Sequence, residues 1–227
     1  MRVLAAMLCL AVAGCDAMPR DSWGALEKAR ERGALRVGVA ERAPWVGFEG
    51  ATPSGPEPAM VRAWANKLGL KVQWVRGSEP ELAEALHAHD LDVVIAGLER
   101  KTTLKGKLAL SQPYLKTELR AGAPQAAPRP EDLKHKKVAV APERLALISK
   151  LRKAGATTVT EGSAPLFAGY DVELQARGLR PVAEPLGSEQ RVIAVSQGES
   201  RLLFELDRFL KEPGEQAWRR LAVAELQ

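Results

Sequence analysis

Cys15 is the residue with the most definite chemistry in this 227-residue chain, a thiol set directly behind Leu10-Ala11-Val12-Ala13-Gly14. Small residues followed at once by cysteine, at the end of an apolar run, form the pattern of a lipobox. In that pattern the thiol takes a diacylglycerol and the peptide bond before it is cut. The run itself, Val3 to Ala13 behind Met1-Arg2, is shorter than the about 20 apolar residues a bilayer span needs, and suits an export signal. Cys9, the other cysteine, lies inside that signal and leaves with it. The exported part then has no disulfide, no Cys-ligated metal and no thiol nucleophile to offer. Its expected link to the lipid bilayer is the acylated Cys15.

Other reactive residue types are scattered. His87-Ala88-His89-Asp90 brings two imidazoles and a carboxylate together in sequence, but i and i+2 point to different sides of a helix. Lys134-His135-Lys136-Lys137 reads as an exposed turn before a strand. There is no Gly-rich phosphate loop, no Gly-x-Ser-x-Gly and no Cys/His metal spacing. No cofactor or metal is therefore expected. The net charge of +5 and the pI near 9.3 do not amount to a nucleic-acid surface, because basic residues alternate with acidic ones, as in Glu27-Lys28-Ala29-Arg30-Glu31-Arg32. Export also argues against a nucleic-acid partner. A 46% hydrophobic and 27% charged chain is composed like a globular protein.

The elements that must position any site follow from periodicity. Ala25 to Glu31 reads as a short helix leading into a strand at Leu35–Val39. Prolines and glycines from Pro44 to Pro58 mark a long loop. Pro58 then starts a predicted helix with Val61, Trp64 and Leu68 on one face, closed by Gly69. Leu70–Val75 alternates as a strand, Pro80–His89 is helical, and Leu91–Gly97 is a buried strand. This β-α-β-α-β order predicts a mostly parallel sheet covered by helices. After the Pro/Ala-rich Ala121–Pro130 a second set begins, with a strand at Lys137–Ala141, a helix at Glu143–Lys153 and a strand at Thr157–Thr160. A strand at Gln190–Val195 and a helix at Ser200–Lys211 carrying Leu202, Leu203, Leu206, Phe209 and Leu210 come last, before a final helix with Trp218 and Leu221. Two α/β lobes are expected, with ligands in the cleft between them.

At this level the words resemble a family. Gly33–Val39, Ala43-Pro44-Trp45, Gly55-Pro56-Glu57 and Leu68-Gly69-Leu70 are similar to the opening of bacterial extracellular solute-binding proteins, family 3, the polar-amino-acid type. Leu91-Asp92-Val93-Val94-Ile95-Ala96-Gly97-Leu98 followed by Ser111-Gln112-Pro113-Tyr114 fits that family's D-x-x-x-A-G-L … F-S-x-P-Y frame, and Ile193-Ala194-Val195 with Gly198 fits its tail. The resemblance implies an α/β, two-lobed type II periplasmic-binding-protein-like fold, with a discontinuous first lobe and here a shortened second lobe. The implied layout is a signal peptide over 1–14, a lipid-anchored tether over 15–30, lobe 1 over 31–120, lobe 2 over 121–189, and a return to lobe 1 over 190–227.

The ligand site departs from the family. Where relatives carry Thr, Thr and an Arg that grips the ligand's α-carboxylate, this chain has Glu99, Lys101 and Leu104. A planar guanidinium suits that bidentate grip, and it is missing. Lys105, Lys101 or Arg100 could place a cation nearby. The acidic position of the family's helix start is Ala59, and its Gly-Thr turn in the second lobe is Pro142-Glu143. Asp171 matches the aspartate that pairs with a ligand ammonium; Asp also favours helix starts, so a capping role stands beside it. By resemblance the ligand-binding set is Trp45, Gly97, Leu98, Glu99, Lys101 and Asp171. Trp45 and Asp171 are expected to face each other across the cleft, with Glu99 near both. Trp64, Trp74 and Trp218 fall at core periodicity, Tyr170 at the cleft wall, and Ser111 and Tyr114 are structural.

The leading expectation is a non-enzymatic, lipid-anchored solute-binding protein in the cell envelope. It would take up a small polar or cationic solute and pass it to a membrane permease of an ABC-type importer. Two alternatives stay open: a sensor or accessory module of the same fold, and a lyase-like enzyme such as the cyclohexadienyl dehydratases that share it.

Overall fold

The computed structural model describes residues 21–106 and 108–227; the expected signal and Cys15 lie outside them. The chain enters through α1 (Ala25–Arg32), β1 (Ala34–Val39), the hairpin β2 (Gly47–Glu49) and β3 (Thr52–Ser54), α2 (Pro56–Leu68), β4 (Lys71–Arg76), α3 (Glu79–His87) and β5 (Val93–Ile95). After β6 (Ala109–Leu110) it passes into β7 (Leu115–Ala123), β8 (Lys137–Ala139), α4 (Leu145–Lys153), β9 (Thr157–Val159), β10 (Leu166–Tyr170), α5 (Asp171–Ala176) and β11 (Arg180–Arg191). It returns through β12 (Ala194–Val195), α6 (Ser200–Lys211) and α7 (Glu215–Ala224).

Two five-stranded sheets result, ordered β4-β1-β5-β12-β6 and β11-β7-β10-β8-β9. In the first, β1 lies parallel to β4 and β5, while β12 runs antiparallel to β5 and β6. The first lobe is therefore built from both ends of the chain. In the second, β8 is parallel to β9 and β10, and β7 is antiparallel to β10 and β11. The two passages between sheets run side by side. Tyr114 N donates to Arg191 O at 3.1 Å and Ser111 N to Ile193 O at 2.9 Å, while Ile193 N donates to the Ser111 hydroxyl at 2.9 Å.

Local chemistry explains the elements. Pro56 rather than Pro58 opens α2, because Gly55 turns the chain and a proline at the first helical position gives up only an amide that has no partner there. Gly69, left-handed at φ 72°, closes the helix. Met60, Val61 and Trp64 on its inner face join the main core with Leu35, Val37, Ile95 and Ile193. Leu202, Leu206 and Leu210 of α6 add a stripe at i, i+4, i+8, each burial contributing about 1.5–3 kcal/mol. A second core under the other sheet gathers Leu119, Val138, Leu147, Leu151 and Val182. No helix of the described residues is long and apolar enough to cross a membrane.

Two boundaries differ from expectation. The expected lobe boundary at residue 121 falls inside β7, which pairs only with strands of the second sheet; the crossing is at Ser111–Tyr114, ahead of the Pro/Ala-rich stretch. The expected tether over 15–30 is part of lobe 1 from Asp21 onward. Asp21 accepts the amides of Arg201 and Leu202 at the start of α6, Glu199 takes the amides of Trp23 and Ala25, and Leu26 and Ala29 are buried.

Candidate functional site

Gly97 organises the place where the lobes meet. It follows β5 in the left-handed region at φ 58°, and a Cβ there would stand 2.7 Å from both Arg42 Cγ and Trp45 Cδ1. Only glycine lets the backbone pass so close. Its amide donates to Glu57 Oε2 at 2.9 Å, and its carbonyl accepts from Arg191 Nη1 at 2.5 Å. Glu57 is buried, and its second oxygen accepts from the Tyr114 hydroxyl at 2.7 Å. Burial pushes the Glu57 carboxyl above its ordinary value, against the opposing pull of Gly97, Tyr114 and the Arg191 charge. Burial and the adjacent Glu57 push the Tyr114 phenol well above its usual range.

Above Gly97 a small aromatic group closes the cleft floor. The Trp45 and Tyr170 rings lie 5.2 Å apart, one from each lobe, and the Arg191 guanidinium sits 4.9 Å from each ring centre. A cavity of about 280 Å³ opens beside them, walled by Gly97, Glu99, Lys101, Thr103, Tyr170 and Arg191. A second, of about 590 Å³, shares Arg42, Glu99 and Tyr170 and continues toward Glu143 and Arg144 of the second lobe. Arg144 holds Glu173 through two bonds of 2.6 and 2.7 Å. Burial works against its charge, yet those bonds keep the guanidinium above its ordinary pKa. A further cavity of about 520 Å³ lies against the crossing, between Pro113, Tyr114, Phe204 and Leu210.

The expected site residues divide. Gly97, Leu98, Glu99 and Lys101 share one cavity wall. Glu99 and Lys101 make no ion pair with another described residue, and the apolar side chain at Leu104 packs against the cluster of Leu82, Leu86 and Leu108. Trp45 lies beneath the wall with 0% exposure, so it belongs to the core as well as to the cleft floor. It does not face Asp171. Tyr170, the last residue of β10, faces Trp45, while Asp171, the first of α5, turns to the opposite side. There the Asp171 carboxylate accepts from Arg219 at 2.6 Å and from the amides of Glu118 and Val172. Asp171 is thus paired within the protein and lines neither of the cavities at Glu99.

Two residues of the site lay outside that reading. Arg191 is the last residue of β11 and directly precedes the apolar run Val192 to Val195, and a charge abutting such a run was its sequence signal. Glu57 sat between two prolines at a helix start, where a carboxylate ordinarily signals only a favourable helix dipole.

Comparison with known proteins settles the family, since residues 35–220 match the bacterial extracellular solute-binding proteins, family 3. The chain belongs to that family. The likeness to a family-3 fold extends to an ancestral cationic amino acid solute-binding protein (19% identity, 89% of this chain and 99% of that one, TM-score 0.71). It extends also to an amino acid ABC transporter substrate-binding protein from Streptococcus pneumoniae bound to L-arginine (18% identity, 88% and 98%, TM-score 0.61). At these identities the likeness is one of fold, a two-lobed type II periplasmic binding protein. A membrane-bound lytic murein transglycosylase F from Vibrio cholerae is 33% identical over 99 residues, 41% of this chain and 18% of that protein. The match thus spans under a fifth of that curated relative.

Proposed function

We propose that this family-3 protein is a lipid-anchored receptor of the cell envelope that captures a small polar solute between its lobes for an ABC-type importer. The observation that carries the reading is the polar cavity at the lobe junction, walled by Glu99 and Lys101, neither of which forms an ion pair with another described residue. Such a pair is complementary to a solute bearing both a donor cation and an acceptor, and desolvation strengthens both contacts as the lobes close. Asp171 is not part of the proposal, because it is held by Arg219. Anchoring rests on Leu10-Ala11-Val12-Ala13-Gly14-Cys15.

The test is a thermal-shift screen of the purified protein against amino acids, amines, organic acids and polar zwitterions, repeated with Glu99→Gln and Lys101→Gln. A true solute raises the melting temperature by mass action, and the rise shrinks in both variants. A screen in which no compound moves the wild type, or in which both variants respond as the wild type does, removes the reading. Anchoring is tested separately: Cys15→Ser must release the protein from membranes or leave the precursor uncut.

A further inference from the structure

Among the described residues Arg191 is the largest fully buried side chain that carries a charge, at 1% exposure. Its guanidinium lies 4.9 Å from the Trp45 ring and 4.9 Å from the Tyr170 ring, rings contributed by different lobes. One terminal nitrogen donates to the Gly97 carbonyl at 2.5 Å; the other donates to the Tyr170 hydroxyl at 3.0 Å and pairs with Glu189. Its Nε, and the Trp45 Nε1 nearby, have no partner among the described residues. A planar cation flanked by two aromatic faces, with a carbonyl, a hydroxyl and a carboxylate at its edge, is the arrangement a guanidinium receptor needs. A lysine ammonium could not use the faces and the edge together.

We infer that Arg191 is an internal ligand: the notch in the angle of the tilted Trp45 and Tyr170 rings is a guanidinium-binding slot that the chain fills with its own side chain. Two consequences follow. The cleft denies this slot to free guanidinium compounds, so solutes are selected in the neighbouring cavity at Glu99 and Lys101 instead. The side chain also clasps the lobes, since it leaves β11 at the crossing and touches Gly97 and Trp45 on one side and Tyr170 on the other. This assignment stands on the slot alone and does not require that a natural solute bind next to it.

Arg191→Ala removes the part of the side chain that ethylguanidinium would replace. With the full-length protein, ethylguanidinium is expected to bind R191A at least about tenfold more tightly than wild type and to raise its melting temperature accordingly. Ethylammonium at the same ionic strength should leave it unchanged. The gain should vanish in the double variant R191A/Y170A. Equal response of wild type and R191A, an R191A protein indifferent to ethylguanidinium, or an undiminished response in the double variant would each overturn the assignment. Should R191A fail to fold by itself, recovery of fold on refolding with ethylguanidinium supports the slot and failure to recover refutes it. The proposed receptor function fails on a different result, the absence of any solute for the wild type.

Discussion

The Tyr114 hydroxyl donates a 2.7 Å hydrogen bond to Glu57, whose other oxygen takes the Gly97 amide at 2.9 Å. One buried carboxylate therefore joins the first crossing segment, the start of α2 and the cleft floor. Any movement of the crossing relative to lobe 1 must pull on this contact.

Tyr114→Phe should destabilise the protein by about 1–3 kcal/mol in urea unfolding, because it strips a donor from a buried acceptor that water cannot reach. A variant as stable as wild type would show that the carboxylate finds another donor without loss.

Glu57→Gln should change the pH dependence of stability. Burial raises the folded-state pKa of Glu57 above its ordinary 4.5. Its contribution is therefore fully present below the unfolded value and is lost as pH rises through the folded one. Wild type should lose stability relative to E57Q as pH is raised from about 4.5. Urea titrations at several pH values that give parallel curves for the two proteins would contradict this.

Gly97→Ala should cost about 1–3 kcal/mol, combining the left-handed backbone with the approach to the Trp45 ring, a rigid buried neighbour. The solute cavity should narrow with it, so any thermal shift found for wild type should fall. Calorimetric unfolding at wild-type temperature would show that Arg42 and Trp45 move aside freely.

Asp171→Asn should lower stability by about 1–2 kcal/mol through the loss of the charge-assisted contact with Arg219. It should leave every solute response intact. A lost solute response with unchanged stability would return Asp171 to the cleft.

The Asp171 result shows where sequence reading stops. Periodicity located β1, β4, β5 and the leucine stripe of α6, because burial on one face writes itself into neighbouring positions. The partner of Asp171 lies 48 residues away on the last helix, and nothing in Gly169-Tyr170-Asp171 points to it. Residue type could not rank Tyr170 above Asp171 either, since the two adjoin and the strand-to-helix junction alone decides which faces the cleft. Trp45 sat in a loop of prolines and glycines that reads as surface, yet the turn folds its ring under Gly97. Arg191 had no pattern of its own beyond a charge beside an apolar run, and its meaning depends on two rings from distant segments. Order along the chain was legible; convergence across the cleft was not.

Ordinary α-amino acids should bind weakly. By the family resemblance Leu104 stands where a carboxylate-gripping Arg is expected, and its side chain packs against the apolar cluster of Leu82, Leu86 and Leu108. Of the two guanidinium groups lining the cavity, Arg191 is committed to Gly97, Tyr170 and Glu189 and Arg42 is paired with Glu79, so neither turns to a carboxylate without breaking those bonds. Lys101 supplies a single exposed ammonium, which cannot reproduce a bidentate contact. The missing grip corresponds to about 2–4 kcal/mol, or roughly 30- to 1000-fold in affinity. Titration calorimetry with glutamate, glutamine and histidine should therefore give no submicromolar binding. A submicromolar value that survives Lys101→Gln would mean that a cation outside this wall holds the carboxylate, and the cavity at Glu99 and Lys101 would lose its claim to be the solute site.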